Sequence, residues 1–132
     1  KNIQFQFKKG SESPTYVYAD KNKIYQVIVN ILSNAAKYGK IDGTIIASVY
    51  KMEDQKILIE ISDDGIGIAE EHLPRLFERF YRVDQTGNRS TGGSGLGLAI
   101  VKHIIDAHDE KIFIESELGV GSEFSFTLDQ AN

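Results

Sequence analysis

Alternation opens the chain. Ile3, Phe5 and Phe7 alternate with Asn2, Gln4 and Gln6, the two-residue period of a half-buried strand. The polar run 9–14 breaks this pattern, and residues 16–18 predict a second, short strand. The period then changes to that of a helix. Ile24, Val27, Ile28, Ile31, Leu32 and Ala35 form one apolar stripe, with Asp20 placed to cap its start and Gly39 just past its end. Residues 44–50 and 56–62 read as strands joined by a polar turn at 51–55. Residues 70–80 predict a short, irregular helix interrupted at Pro74. Residues 84–94 contain no apolar side chain and are expected to form a mobile loop. Apolar positions 96, 100, 101, 104 and 105 predict a second amphipathic helix over 96–108. Strands over 112–115 and 123–128 close the chain, with Phe124, Phe126 and Leu128 on one face and Glu123, Ser125 and Thr127 on the other. Strands with a solvated face suit a mixed, largely antiparallel sheet with helices packed on its other face. The expected fold class is an α/β two-layer sandwich.

The first helix carries a polar stripe beside its core stripe. Asn30 and Asn34 lie four residues apart, and Lys37 and Tyr38 continue the face by one turn. Asparagine is a poor helix-interior residue, because its side chain competes for backbone hydrogen bonds. A ligand would explain the stripe. A solvated face is the alternative, although Lys and Glu are the usual residues there.

Glycines supply the remaining candidate chemistry. Asp63-Asp64-Gly65-Ile66-Gly67-Ile68 follows a strand, and glycines two apart allow a tight turn and close approach of a ligand to the backbone. A plain surface turn fits as well, since Asp-Gly is a common turn dipeptide. Gly92-Gly93-Ser94-Gly95-Leu96-Gly97-Leu98 leads into the second long helix, where backbone N–H groups can cradle phosphate. The segment lacks the Gly-Lys-Ser/Thr ending of a P-loop. It also misses the dinucleotide fingerprint, because position 98 is Leu and no strand precedes it. Gly119-Val120-Gly121-Ser122 is a third turn, and by itself no more than a turn.

Composition narrows the classes. The 132 residues suit one domain, able to bury about two-thirds of its unfolded surface. The 41% hydrophobic and 26% charged residues are ordinary for a globular protein, and no apolar run approaches the length of a membrane span. No signal peptide is visible. The absence of cysteine excludes disulfides and thiolate metal sites and fits a cytosolic setting. A net charge of −4 gives no reason to expect a nucleic acid partner, so an anionic small ligand would need a local cluster of donors. The sequence starts at Lys1, directly in a strand pattern, as expected of a piece of a longer protein.

Taken in order, Asn-x-x-x-Asn with Lys-Tyr, Asp-x-Gly-x-Gly, Phe77-Glu78-Arg79-Phe80, Gly-x-Gly-x-Gly and Gly-x-Gly resemble the ATP-binding domain of sensor histidine kinases. That family shares a superfamily with Hsp90, DNA gyrase B and MutL. The resemblance runs from Asp20 to about Leu128, and residues 76–82 are its most kinase-like piece. It implies a Bergerat-type ATP-binding fold with ATP and Mg²⁺ as cofactors.

The same resemblance assigns roles. Asp63 would accept a hydrogen bond from the adenine amino group, and Gly65 and Gly67 would let the base and a bridging water come close to the backbone; Ile68, Phe80 and Ser122 would be further cofactor-binding residues. Asn34, with Asn30, would face the triphosphate and Mg²⁺. Lys37 would neutralise phosphate, and Tyr38 would pack on adenine or ribose. Arg82 is favoured over Arg79 for the γ-phosphate, since Arg79 can pair with acids such as Glu78. Residues 84–94 would form a lid, Gly93, Gly95 and Gly97 would cradle the phosphates at the helix start, and Ser94, Leu96 and Leu98 would be further cofactor-binding residues. Hsp90-like ATPases carry a water-activating glutamate where this chain has Asn30, which cannot act as a base. The resemblance therefore implies phosphoryl transfer to a histidine rather than hydrolysis.

His72, His103 and His108 lack the context of the family's phosphoacceptor. A separate dimerisation and phosphoacceptor domain is thus an expected partner, with a homodimer in the full-length protein and a response regulator downstream. The isolated domain is expected to be monomeric, cytoplasmic and part of a membrane-anchored kinase. An anti-sigma-factor type serine kinase and a binding-only ATP module are the alternatives. Two departures stand out. Asp109-Glu110 replace the usual Gly-Gly, so Asp109 must turn left-handed or the turn must differ. Asp64 stands where Asn is frequent and is expected to add negative charge near the adenine.

Overall fold

Isoleucine-rich alternation carries β3 (Thr44–Lys51) and β4 (Lys56–Asp63) into an antiparallel hairpin. The computed structural model describes residues 4–7, 17–40, 42–79 and 97–131. The hairpin closes where Met52 N–H donates to the Lys56 carbonyl at 2.8 Å, and its turn holds Asp54 and Gln55 at φ 61° and 58°. β6 (Gly121–Gln130) pairs antiparallel with the far side of β4. Its other edge is shared: β5 (Ile112–Glu117) runs against residues 121–126, and β2 (Val17–Tyr18) against 129–130. β1 (Gln4–Phe7) joins parallel to β3, so the sheet is mixed and largely antiparallel, as expected. β5 and β6 extend beyond the expected strands, toward each other across the Gly119 turn.

Directly opposed residues share a face. The register therefore places Ile45, Ile57, Ile61, Phe124, Phe126 and Leu128 together on one buried face. Two helices cover it. α1 (Lys21–Tyr38) contributes Ile24, Val27, Ile31 and Ala35, and α2 (Gly97–Ala107) contributes Val101, Ile104 and Ile105. Residues 70–80 depart from expectation. Glu70–Arg75 is a 3-10 helix that passes through Pro74, and residue 80 lies outside the described residues. Proline has no N–H to donate at position 74, and turn bonds flank it: His72 N–H to the Ala69 carbonyl, Leu76 N–H to that of Leu73 and Glu78 N–H to that of Arg75. The segment ends on the core, with Leu76 buried and the Phe77 ring edge-on to Phe124 at 6.4 Å.

The helix ends tie the layers together. Asp20 Oδ1 accepts the N–H groups of Asn22 and Lys23, both at 3.1 Å. Gly39 leaves α1 at φ −70°, so its glycine does not serve a left-handed cap. The close approach there belongs to Gly65, whose added Cβ would sit 2.9 Å from Gly39 Cα. At the end of α2, Asp109 does turn left-handed, at φ 56°. Glu110 N–H donates to the Ile105 carbonyl and Asp109 N–H to that of Asp106, which is a Schellman ending built without glycine. His108 Nδ1 bonds the Ile104 carbonyl at 2.9 Å, and Nε2 accepts Asp20 N–H at 3.1 Å. Only a neutral ring protonated on Nδ1 makes both bonds.

Glu110, buried just before β5, accepts from Lys56 Nζ at 2.8 Å and from Thr127 Oγ1 at 2.9 Å. Lys56 also reaches Asp129 at 2.7 Å, and these two hydrogen bonds push its pKa up to about 12. Glu110→Ala is expected to cost about 1–3 kcal/mol, because it strips a buried acceptor from two donors. Urea unfolding measures this, and an unmoved midpoint would show that the cluster contributes nothing.

Candidate functional site

The apolar face ends in a polar row. One step beyond Ile61, Phe124 and Ile114, the register aligns Asp63, Ser122 and Ser116 across β4, β6 and β5. The alternation that buries the phenylalanines thus also turns these three toward the helices, at the rim of the core. Asp63 is half-buried, and Gly65 N–H donates to its Oδ1 at 2.9 Å. Burial raises its pKa above the usual carboxylate range, against the hydrogen bonds from the Gly65 and Ser122 backbone N–H groups. The charge on Asp64 adds least to the shift.

A raised carboxyl has a defined pH signature. The folded state holds this proton more tightly than the unfolded chain does. The contribution of Asp63 to stability therefore declines as pH rises from the ordinary value, about 3.9, through the raised one, and is flat beyond. The expected result is that the stability difference between the Asp63→Asn variant and the parent grows over this window in the variant's favour. Urea unfolding across the pH range measures it, and a pH-independent difference would contradict the raised pKa.

Two glycine turns pack against each other beside this row. Gly67, at φ 72°, lies so near the Glu117 carbonyl that a Cβ would overlap its oxygen. A Cβ on Gly121 would overlap the Asp63 carbonyl oxygen in the same way. Gly119 N–H donates to the Ile66 carbonyl at 2.7 Å, and Ile68 N–H to Ser116 Oγ at 2.8 Å. The third turn, unremarkable as sequence, is therefore one wall of the site. The end of α1 forms another, since Ile66 N–H donates to the Tyr38 carbonyl at 3.1 Å and Gly65 sits against that same oxygen.

The polar stripe of α1 links both glycine segments. Asn30 Nδ2 donates to the carbonyl of Gly97, the first residue of α2, at 3.3 Å. Two turns later Tyr38 meets the 65–67 turn, with Asn34 and Lys37 partly exposed between them. Asn30 is therefore also a clamp between helices, a role absent from the sequence-based assignment.

Other expected residues lie differently. Ile68 is a core residue at 8% exposure, and Leu98 packs against the core, so each can offer a ligand more backbone than side chain. Asp64 points away from the expected place: its Oδ1 accepts Thr44 N–H at 2.9 Å, and its Oδ2 lies 3.8 Å from Lys40 Nζ. It braces the start of β3 and influences Asp63 only weakly. Glu78 pairs with Arg75 at 3.2 Å. Phe80, Arg82, Gly93, Ser94, Gly95 and Leu96, with the expected loop 84–94, lie outside the described residues. Ser116 was missed, because the strand was expected to end at 115. Following the alternation Ile112, Ile114 by two more residues would have found it.

A two-layer α/β domain that seats an acceptor carboxylate among glycine turns, under a helix lined with amides, has the form of an ATPase domain. The chain belongs to the histidine kinase-, DNA gyrase B-, and HSP90-like ATPase family, whose model matches residues 19–132. It is 44% identical over 114 residues to the sensor histidine kinase WalK of Bacillus subtilis, covering 86% of this chain and 19% of WalK. Among solved structures, the mycobacterial sensor histidine kinase MprB superposes with a TM-score of 0.83 at 29% identity, covering 97% of this chain and 84% of that one. Full-length ShkA, solved in complex with AMPPNP, gives 0.78 at 28% identity, covering 98% of this chain and 26% of that one. The chain thus spans about a fifth of WalK. Among the described residues no helix is long and apolar enough to cross a membrane.

Proposed function

We propose that this domain binds Mg-ATP and donates the γ-phosphate to a histidine on a separate dimerisation domain, from which a response regulator is charged. The observation that carries this reading is the acceptor row headed by Asp63, enclosed by the 65–67 and 119–121 turns. A carboxylate fixed by two backbone N–H groups offers its remaining lone pairs to an amino group, as adenine presents. The likeness to ShkA, solved with AMPPNP, supports a triphosphate beside it.

Asn34, one turn before Tyr38, and Lys37, directly before it, would meet the triphosphate. With its nitrogen committed to Gly97, Asn30 can offer its oxygen. Amide oxygens are hard donors that suit Mg²⁺, which would supply charge neutralisation when bound. Asn30 cannot take a proton from water, which favours transfer over hydrolysis. Phosphoryl transfer requires chiefly positioning and electrostatic stabilisation, and the histidine nucleophile comes from outside this domain. The test is incubation with γ-labelled ATP and a histidine-bearing dimerisation domain. Acid-labile label on that domain is expected, and its absence despite bound ATP would leave a binding-only module.

A further inference from the structure

Resting on the adenine site proposed above, we propose that Ser116 is a positioning residue for base selection, fixing the proton order of a hydroxyl pair so that Ser122 presents only an acceptor to the base. Ser116 Oγ makes three close contacts: Ile68 N at 2.8 Å, the Gly121 carbonyl at 3.0 Å and Ser122 Oγ at 2.7 Å. A hydroxyl has one proton to give and two lone pairs with which to accept. The Ile68 N–H can only donate, and the Gly121 carbonyl can only accept. All three contacts are hydrogen bonds in one arrangement alone. Ser116 O–H donates to Gly121, and Ser122 O–H donates to Ser116.

Ser116 is then saturated. The Ser122 proton is committed away from Asp63, and its lone pairs remain for the site. Asp63, directly across the strand pair, has a carboxylate that also only accepts when ionised. Two neighbouring acceptors suit the amino group of adenine or a water that bridges to it. They repel the carbonyl that a 6-oxopurine carries at the same position, and an unmatched buried polar group is what makes such rejection strong. Without the Ser116 hydroxyl, Ser122 loses the acceptor for its proton. It can then turn and donate to the oxo group.

The experiment compares ATP with inosine triphosphate, its 6-oxo counterpart, by titration calorimetry on the parent, Ser116→Ala, Ser116→Thr, Ser122→Ala and the double alanine variant. The parent is expected to prefer ATP. In Ser116→Ala the preference falls about tenfold, mainly through tighter inosine triphosphate binding. Ser116→Thr, which keeps a hydroxyl, restores it. In the Ser122→Ala background, Ser116→Ala leaves the preference unchanged. Equal weakening of both nucleotides, or an unchanged ratio, would overturn the proposal and leave Ser116 a structural residue. If Ser116→Ala does not fold, Ser116→Cys carries the same comparison with a poor acceptor in nearly the same volume. A parent that binds both nucleotides alike would instead overturn the adenine site, and the inference with it.

Discussion

Gly67→Ala is expected to destabilise the domain by at least about 3 kcal/mol, whereas Gly97→Ala leaves it as stable or slightly more so. Two costs meet at Gly67. At φ 72° an L side chain is strained, by about 1–2 kcal/mol. The new methyl would also overlap the Glu117 carbonyl oxygen, 2.7 Å from its carbon and 3.0 Å from Leu118 Cα. These are backbone atoms, held by the β5–β6 turn and by the Gly119–Ile66 bond, so relief requires moving a strand end. At Gly97, the first residue of α2, an added Cβ meets nothing within 4 Å among the described residues, so neither a clash nor a positive φ opposes alanine. Urea midpoints of the two variants decide the matter. Similar midpoints would show that the packed turns tolerate a side chain, contrary to the contacts seen.

The second large effect falls on binding. Asp63→Asn is expected to weaken ATP by about 2–3 kcal/mol, roughly 30- to 150-fold, while the melting temperature of the empty domain holds or rises. The amide keeps the size of the carboxylate but has one acceptor oxygen instead of two. If that oxygen stays with Gly65 N–H, the amino group of Asn faces the base. Two amino groups then oppose each other. Stability moves the other way, because burial already disfavours the charge that the substitution removes. Calorimetry and thermal unfolding of the same preparation separate the effects. A dissociation constant within threefold of the parent's would remove Asp63 from the site. A large drop in melting temperature would mean that the variant reports on folding instead.

Much of the fold was legible because burial imposes a period. The α1 stripe at Ile24, Val27, Ile31 and Ala35 is buried as its spacing required, and Phe124, Phe126 and Leu128 lie inside as their alternation required. Local rules also carried the cap at Asp20 and left two choices at Asp109, of which the structure takes the left-handed one. Elsewhere the same rules fell short. Pro74 was expected to interrupt a helix, yet the 3-10 helix Glu70–Arg75 contains it, with turn bonds from His72 and Leu76 on either side. Gly39 was expected to end α1 in the usual glycine manner, but Gly65 approaches it and the backbone stays extended. Asp64 adjoins Asp63 in sequence and was expected beside the ligand. Strand alternation turns it to Thr44 and Lys40 instead.

By itself the sequence determined which residues could enter the core, where α1 starts and stops, and that amide, carboxylate and glycine positions recur in the order of the resembled ATP site. Those properties depend on neighbours a few positions away, and periodicity and capping record them directly. The tertiary structure alone decided the rest: that the Gly119–Ser122 turn is a wall of the site, that Asn30 grips Gly97, and that Asp63, Ser122 and Ser116 form one row across three strands. Strand register is set by the packing of whole faces. A one-residue slip would turn the entire row out of the site, and no local pattern around Ser116 reveals which partner it will meet.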